Sequence, residues 1–239
     1  MLQVLFPEEI FHNFYLTGGT ALNRFYYPVR YSEDLEFFTN ENSIFREEVR
    51  LIMEALEKAK IPFLKTVDIR DFVQLVCFPE KENLKIYFVN DRVYRYGKFT
   101  YIQGIRIDSI INILANKICS VVSKDEAKDV ADLITICLNE DFVWDEMIEI
   151  AQKKEGFEKL VLVERLKSFP TQLFASCDFI KESIEKLYSS LIPMVIEDII
   201  KGEKNSLKNL HKIFPHLPVI IPLLENGFPQ ENNGKRQFP

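Results

Sequence analysis

Leu16-Thr17-Gly18-Gly19-Thr20-Ala21-Leu22-Asn23-Arg24, followed by Arg30-Tyr31-Ser32-Glu33-Asp34-Leu35-Glu36-Phe37-Phe38, is the stretch whose reading decides the fold. A Gly-Gly pair opens a short helical run, expected from Thr20 to Tyr27 and stopped near Pro28. A strand follows with two carboxylates one residue apart. Alternate residues of a strand share a face, so Asp34 and Glu36 project together while Leu35 and Phe37 turn into a core. Paired carboxylates suit a hard divalent cation, usually Mg²⁺, which takes oxygen ligands and substrate phosphates. Gly18 and Gly19 allow backbone N–H groups close to a phosphate, and the helix start adds its dipole. A phosphate cradle beside a metal clamp points to nucleotidyl transfer, where positioning and charge neutralisation do most of the catalysis.

Outward from this unit, apolar spacing predicts a helix over 44–59, strands over 63–69, 72–78 and 84–89, and short strands at 99–102 and 105–107. Asn40 to Ser43 offer caps for the first of these helices. Residues 3 to 13 read as a further short helix. From Asp108 the pattern turns helical. One helix runs to about Val122, and a second, capped by Ser123, to about Leu138; more are expected at 142–152, 157–168, 178–201 and 205–213. The tail from Pro215 is Pro-rich and expected to fray at its end. The fold class is therefore α+β. A soft boundary near residue 107 separates an α/β core, 1–107, from an α-helical part, 108–239.

Composition narrows the function. The 239 residues are 47% hydrophobic with 20 Phe, enough for a sizeable core. A net charge of −6 argues against broad electrostatic adhesion to nucleic acid and leaves room only for a local basic groove. Cys77, Cys119, Cys137 and Cys177 form no C-x-x-C pair, and with His12, His211 and His216 they give no zinc pattern. Scattered cysteines suit a reduced cytoplasmic protein. Met1 to Phe14 carries acids and no basic region, so no signal peptide is expected, and no apolar run has membrane-span length.

The joined string Gly18-Gly19-Thr20, Arg24, Arg30, Ser32, Asp34-Leu35-Glu36-Phe37-Phe38 resembles the AbiEii/AbiGii toxin family within the polymerase-β-like nucleotidyltransferases. The resemblance continues in Asn116-Lys117 and in Lys128-Asp129-Val130-Ala131-Asp132-Leu133. It implies a mixed-sheet transferase core and Mg²⁺ as cofactor. Asp34 and Glu36 would be metal ligands. Gly18, Gly19, Thr20, Arg24 and Ser32 would contact nucleotide, and Lys117 and Asp129 would join Asp34 and Glu36 in catalysis. It also implies an NTP substrate, a tRNA, other RNA or protein acceptor, and a cognate antitoxin.

Bland alternatives stand beside these roles. Arg24 could reach phosphate, pair with Asp34 or form a surface salt bridge; Arg30 and Ser32 could simply order their loop. Lys117 falls beside an apolar stripe, so it needs a partner or ligand unless it snorkels. Asp129 and Asp132 lie three apart on one helix face and could bind it; Asp132 could equally be a solvated acid. One departure from the family pattern is Tyr87, which stands where a third carboxylate is sought, with Asp91 as a substitute candidate. This puts a two-metal mechanism in doubt and leaves a non-catalytic nucleotide-binding protein as the alternative. The run Arg92-Val93-Tyr94-Arg95-Tyr96-Gly97-Lys98 reads as a surface loop or as an RNA contact. In the second case Arg92, Arg95 and Lys98 would face Lys117 and Lys128 across a groove.

Overall fold

The computed structural model describes residues 12–32, 34–79, 83–102, 104–181 and 184–210. The expected helix over 3–13 falls almost wholly outside these residues, as do His211, His216, the end of the 205–213 helix and the tail. His12 is exposed.

Seven strands form one mixed sheet in the order β3-β4-β5-β2-β1-β7-β6. They are β1 Tyr15–Thr17, β2 Asp34–Asn40, β3 Phe63–Ile69, β4 Phe72–Cys77, β5 Leu84–Asp91, β6 Thr100–Ile102 and β7 Ile105–Ile107. β1 runs antiparallel to β2 with Thr17 opposite Glu36, and β5 runs parallel to β2 with Tyr87 opposite Glu36. One face of the sheet is the core: Leu16, Leu35, Phe37, Val73, Leu75, Ile86 and Phe88 are buried there, and helix α2 (Phe45–Lys58) turns Val49, Ile52 and Leu56 inward. The other face carries Thr17, Asp34, Glu36, Tyr87 and Phe72.

Helix α1, Gly18–Ala21, begins two residues before its expected start and passes into a π-helical turn, Leu22–Tyr26. The Tyr27 N–H reaches back to the Leu22 carbonyl at 2.8 Å, and Pro28 ends the run. Helices α3 (Ile110–Ser123), α4 (Ala127–Asn139), α5 (Trp144–Gln152), α6 (Lys159–Ser168) and α7 (Ile184–Lys201) make the second layer around fully buried Trp144. Ser109 caps α3 by accepting from the Asn112 N–H.

Two expectations fail here. Ser123 does not cap α4; it ends α3, where its hydroxyl bonds back to the Cys119 carbonyl at 2.7 Å. Residues 178–181 are not helical, because their backbone is engaged elsewhere. The Tyr31 N–H donates to Asp178 O and the Ile180 N–H to Val29 O, both at 2.9 Å, forming a bridge between Arg30 and Phe179. That bridge holds the helical layer onto the loop before β2. Among the described residues, no helix is long and apolar enough to cross a membrane.

Candidate active site

The open face of the sheet and the helical layer enclose a cleft of about 800 Å³, within the size range of small-molecule sites. Strand alternation sets its floor: Asp34 and Glu36 leave β2 on the cleft side, with Tyr87 and Val89 beside them on β5 and Phe72 on β4. Its far wall comes from Asn116, Lys117 and Ser120 on α3, and from Ala127, Lys128 and Asp129 at the start of α4. Cys177 and Asp178 close one side.

Gly18 stands against Glu36. Its φ is +69°, a left-handed conformation that glycine adopts at little cost, and a Cβ there would collide with the Glu36 carboxylate. Gly19 is hemmed in by Arg30, Ser32 and Asp132, so a side chain there would press on the Arg30–Asp132 pair instead. Thr20 does not face the cleft. Its hydroxyl donates to the Asp34 carbonyl and can accept from Ser32 Oγ, 2.9 Å away, which ties the helix start to the β2 entry. Arg24 is also outside the lining residues and lies near the Phe25 ring, 6.0 Å from its centroid.

In and behind the far wall lies a buried charged network. Lys117 Nζ sits 2.7 Å from both Asp129 Oδ1 and Asp132 Oδ2, at 6% residue exposure. Arg30 grips Asp132 with two bonds, Nε to Oδ1 at 2.8 Å and Nη2 to Oδ2 at 2.7 Å. Asn23 completes the arrangement. Its amide donates to Gly19 O and Asp132 Oδ1, while its Oδ1 accepts the Val29 and Arg30 N–H groups. One side chain thus fixes the Gly-Gly turn, the loop before β2 and helix α4 together. Of the two readings of Asp132, partner of Lys117 or solvated acid, the first holds; its contacts with Asn23 and Arg30 have no sign in the sequence, since they span 109 and 102 residues and leave no local period.

Electrostatics follow from this geometry. Burial disfavours charge on Lys117, but Asp132, Asp129 and Glu36 outweigh it and hold its pKa above the ordinary lysine value. Burial would likewise raise Asp132, yet Lys117 and Arg30 pull it below the usual carboxylate range. Glu36 goes the other way: burial pushes it up, Lys117 opposes, and Asp129 and Asp34 add repulsion. Lys128 Nζ is 3.9 Å from Asp34 and 3.0 Å from Glu126.

The expected rim of Arg92, Arg95 and Lys98 does not face this cleft. Asp34 pairs with Lys85 and Asn40 with Asp91, so the far end of β5 is roughly 20 Å away at about 3.3 Å per residue. Asp91, offered as a substitute acid, lies at that far end. Arg92 bonds Asp71 beside a separate hollow there. Arg95 is largely buried, paired with Asp108 at 2.9 Å and stacked 3.4 Å from the Phe99 centroid. Its charge is consumed by packing, which the alternating Arg/Tyr pattern conceals.

Comparison with known proteins agrees with this architecture. A crystal structure of JHP933 from Helicobacter pylori superposes with a TM-score of 0.55 at 18% identity, covering 90% of this chain and 93% of that one. A second H. pylori structure, described as a candidate nucleotidyltransferase, gives a TM-score of 0.56 at 18% identity, over 87% of this chain and 94% of its own. Likeness at this identity speaks for the fold. No curated protein matches the sequence. A family model described as "Nucleotidyl transferase AbiEii toxin, Type IV TA system" matches residues 2–197. With most of the chain matched and the sheet, turn and acid pair arranged as above, this chain belongs to the AbiEii family of nucleotidyl transferase toxins of type IV toxin–antitoxin systems.

Proposed function

We propose that the protein is a Mg²⁺-dependent nucleotidyltransferase that moves NMP from an NTP to an acceptor, an RNA such as tRNA or a protein, and releases pyrophosphate. It acts as a cytoplasmic toxin held in check by a cognate antitoxin. In this reading residues 1–107 form the transferase core and 108–239 complete the cleft. The observation that carries it is the contact between Gly18 and Glu36 on the floor of the cleft, with Asp34 on the same strand face. A bare backbone turn and an acid pair are thereby brought within one substrate's reach.

The acid pair fits Mg²⁺. Both donors are carboxylates on one strand face, and repulsion from Asp34 and Asp129 at Glu36 is what an added cation relieves. Among the described residues no group of three or more metal-ligating side chains converges, so Asp34 and Glu36 would share the ion with phosphate oxygens and water. Once bound, the ion supplies positive charge against the triphosphate.

The chain's own groups do the rest. Gly18 and Gly19 present backbone to the outgoing β- and γ-phosphates, and Ser32 at the cleft edge adds a hydroxyl. Lys117, kept charged by Asp129 and Asp132, offers fixed positive charge from the opposite wall. Asp129, facing the cleft, also stands where it can accept the acceptor's proton. In the transfer the acceptor oxygen bonds the α-phosphorus while the bond from that phosphorus to the bridging oxygen breaks. Thr20 serves the shape of the turn through its bond to the Asp34 carbonyl, and Arg24 would meet a phosphate only from outside the cleft lining.

Tyr87 beside Glu36 favours the second reading, a nucleotide-binding protein without transfer chemistry. One experiment separates them. Wild-type protein is incubated with Mg²⁺, total RNA and each α-labelled NTP in turn, with Asp34→Asn in parallel. Label in RNA or protein that Asp34→Asn abolishes is the expected result; NTP binding with no label anywhere supports the second reading.

A further inference from the structure

We propose that Phe72 and Tyr87 form the acceptor-side subsite of the cleft and that it takes the unpaired nucleotide end of an RNA. This rests on the transferase reading above. The starting point is the order of strands, β4-β5-β2-β1. Glu36 on β2 has Gly18 at the β1 side and Tyr87 at the β5 side. In an in-line displacement the attacking oxygen enters opposite the leaving group. With pyrophosphate leaving toward Gly18 and Gly19, the acceptor must approach across the acids from the β5 side. There the floor is aromatic.

The two rings lie 6.0 Å apart at an interplanar angle of 25°. They are half-buried and line the cleft, while their strand neighbours Val73, Ile86 and Phe88 are buried in the core on the opposite face. Flat aromatic surface takes any base by stacking, independent of sequence. Cations stand around it: Lys124 and Lys128 line the cleft, and exposed Lys85 shares the strand face of Tyr87. Glu126 engages Lys128, but Lys124 and Lys85 appear in no ion pair among the described residues. Rings for bases with lysines for phosphates make a single-strand platform on an otherwise acidic protein. A protein acceptor could pack on the rings, but it would leave Lys124 and Lys85 without the phosphates they suit. Tyr87 thus replaces a third carboxylate with a surface that holds the acceptor.

The test uses a fluorescein-labelled RNA hairpin with an unpaired 3′ end, against the same hairpin cut blunt. Binding is read by anisotropy on the full chain, with melting curves confirming that each variant folds. The wild type should prefer the unpaired end. Tyr87→Leu and Phe72→Leu should each weaken that binding by about tenfold, and Tyr87→Phe should restore it, since the ring and not the hydroxyl is used. In the transfer assay the Leu variants should raise KM for the hairpin more than KM for NTP. Should Tyr87→Leu fail to fold, Phe72→Leu alone decides. Equal binding of blunt and unpaired hairpins overturns the proposal, as does wild-type affinity in the Leu variants or label entering protein alone. A wild type that binds NTP and labels nothing removes the transferase reading, and with it this subsite.

Discussion

Helix α3 carries one buried ion cluster at its start and another at its middle, and the two are built differently. At its start, Asp108 is closed off. Its Oδ1 accepts from Arg95 Nε at 2.9 Å and the Ser109 N–H at 2.8 Å, and its Oδ2 from Thr17 Oγ1 at 2.6 Å and Asn112 Nδ2 at 2.8 Å. One acid meets one base and two lone-pair sites on each oxygen are used. Further along, Lys117 meets Asp129 and Asp132, and Asp132 meets Arg30, while Asp34 and Glu36 stand opposite: Lys117 acts on Glu36 without bonding it, and half-exposed Lys128, 3.9 Å from Asp34, is held closer by Glu126 at 3.0 Å. Five acids, Glu126 included, face three bases. A balanced knot stores the fold; an unbalanced one leaves charge for a ligand to neutralise. The difference separates structural from functional charge without reference to any relative.

The sharpest way to break that distinction is to remove one unbalanced acid. Asp34→Asn keeps the shape of the side chain, and its carboxylate takes no hydrogen bond among the described residues. Transfer should fall by roughly 10²–10³-fold, the range for losing one preorganised electrostatic group, with the melting temperature nearly unchanged. Wild-type transfer rates would mean that the excess negative charge serves no ligand.

Removing a neutralised acid should act on the fold instead. Asp132→Ala leaves Lys117 and Arg30 buried without their shared partner, and Asp108→Ala does the same to Arg95. Each should cost about 3–5 kcal/mol, read as a shift in the urea midpoint. Asp132→Ala should also weaken NTP binding, because Asn23, which donates to Gly19 O, then loses its second anchor, as does Arg30 beside it; Asp108→Ala should do so less, since of the cleft-lining groups it frees only the Thr17 hydroxyl. Identical effects of the two on NTP affinity would erase the contrast.

Acid should erode the stability that the second cluster contributes, because Asp132 keeps its charge in the folded protein below the pH at which ordinary carboxylates lose theirs. Lys117 and Arg30 overcome the effect of burial and hold Asp132 below the ordinary carboxylate range. The unfolded chain therefore takes up this proton first, near pH 4. The stability that Asp132 contributes is complete above that pH and declines as pH falls toward the depressed folded value. Melting temperatures taken through this range should drop more steeply for the wild type than for Asp132→Asn, and parallel curves would refute the coupling.

How much of this was legible in sequence depended on whether partners were local. Asp34 and Glu36 sit two apart on a strand, and their shared face follows from pleating alone. The strands from Phe63 to Ile107 follow from alternation bounded by turns. Lys117 announced itself by lying beside an apolar stripe, where an amine needs a partner. Arg30, Asn23 and Arg95 gave no such sign. Each is polar in a loop or a short helix, and each is buried only because a helix over a hundred residues away, or an aromatic ring on another turn, closes over it. Residues 178–181 were misread for the same reason: their apolar spacing suits a helix, but the backbone of residues 29–31 claims their hydrogen bonds.

The smallest effect belongs at the far end of the strands, where charge is exposed. Arg46, Arg70 and Arg92 ring a hollow of about 340 Å³ with Asp71 among them. Arg92 Nη2 donates to Asp71 Oδ2 at 2.8 Å, and Asn90 holds the other Asp71 oxygen at 3.1 Å. The Arg92 side chain is 57% exposed, so water competes for both partners and the pair gains little over its solvated state. Arg92→Ala should change stability by less than about 1 kcal/mol. It lies roughly 20 Å along the sheet from Asp34, so NTP binding should not respond either. The acceptor is the sensitive case. A short RNA hairpin that ends on Tyr87 has no reason to reach this hollow, and its KM should be that of the wild type. If Arg92→Ala raises that KM while leaving NTP binding alone, the RNA runs along β5 from the aromatic floor to the arginines, and charge at the exposed end of the sheet must be counted as functional too.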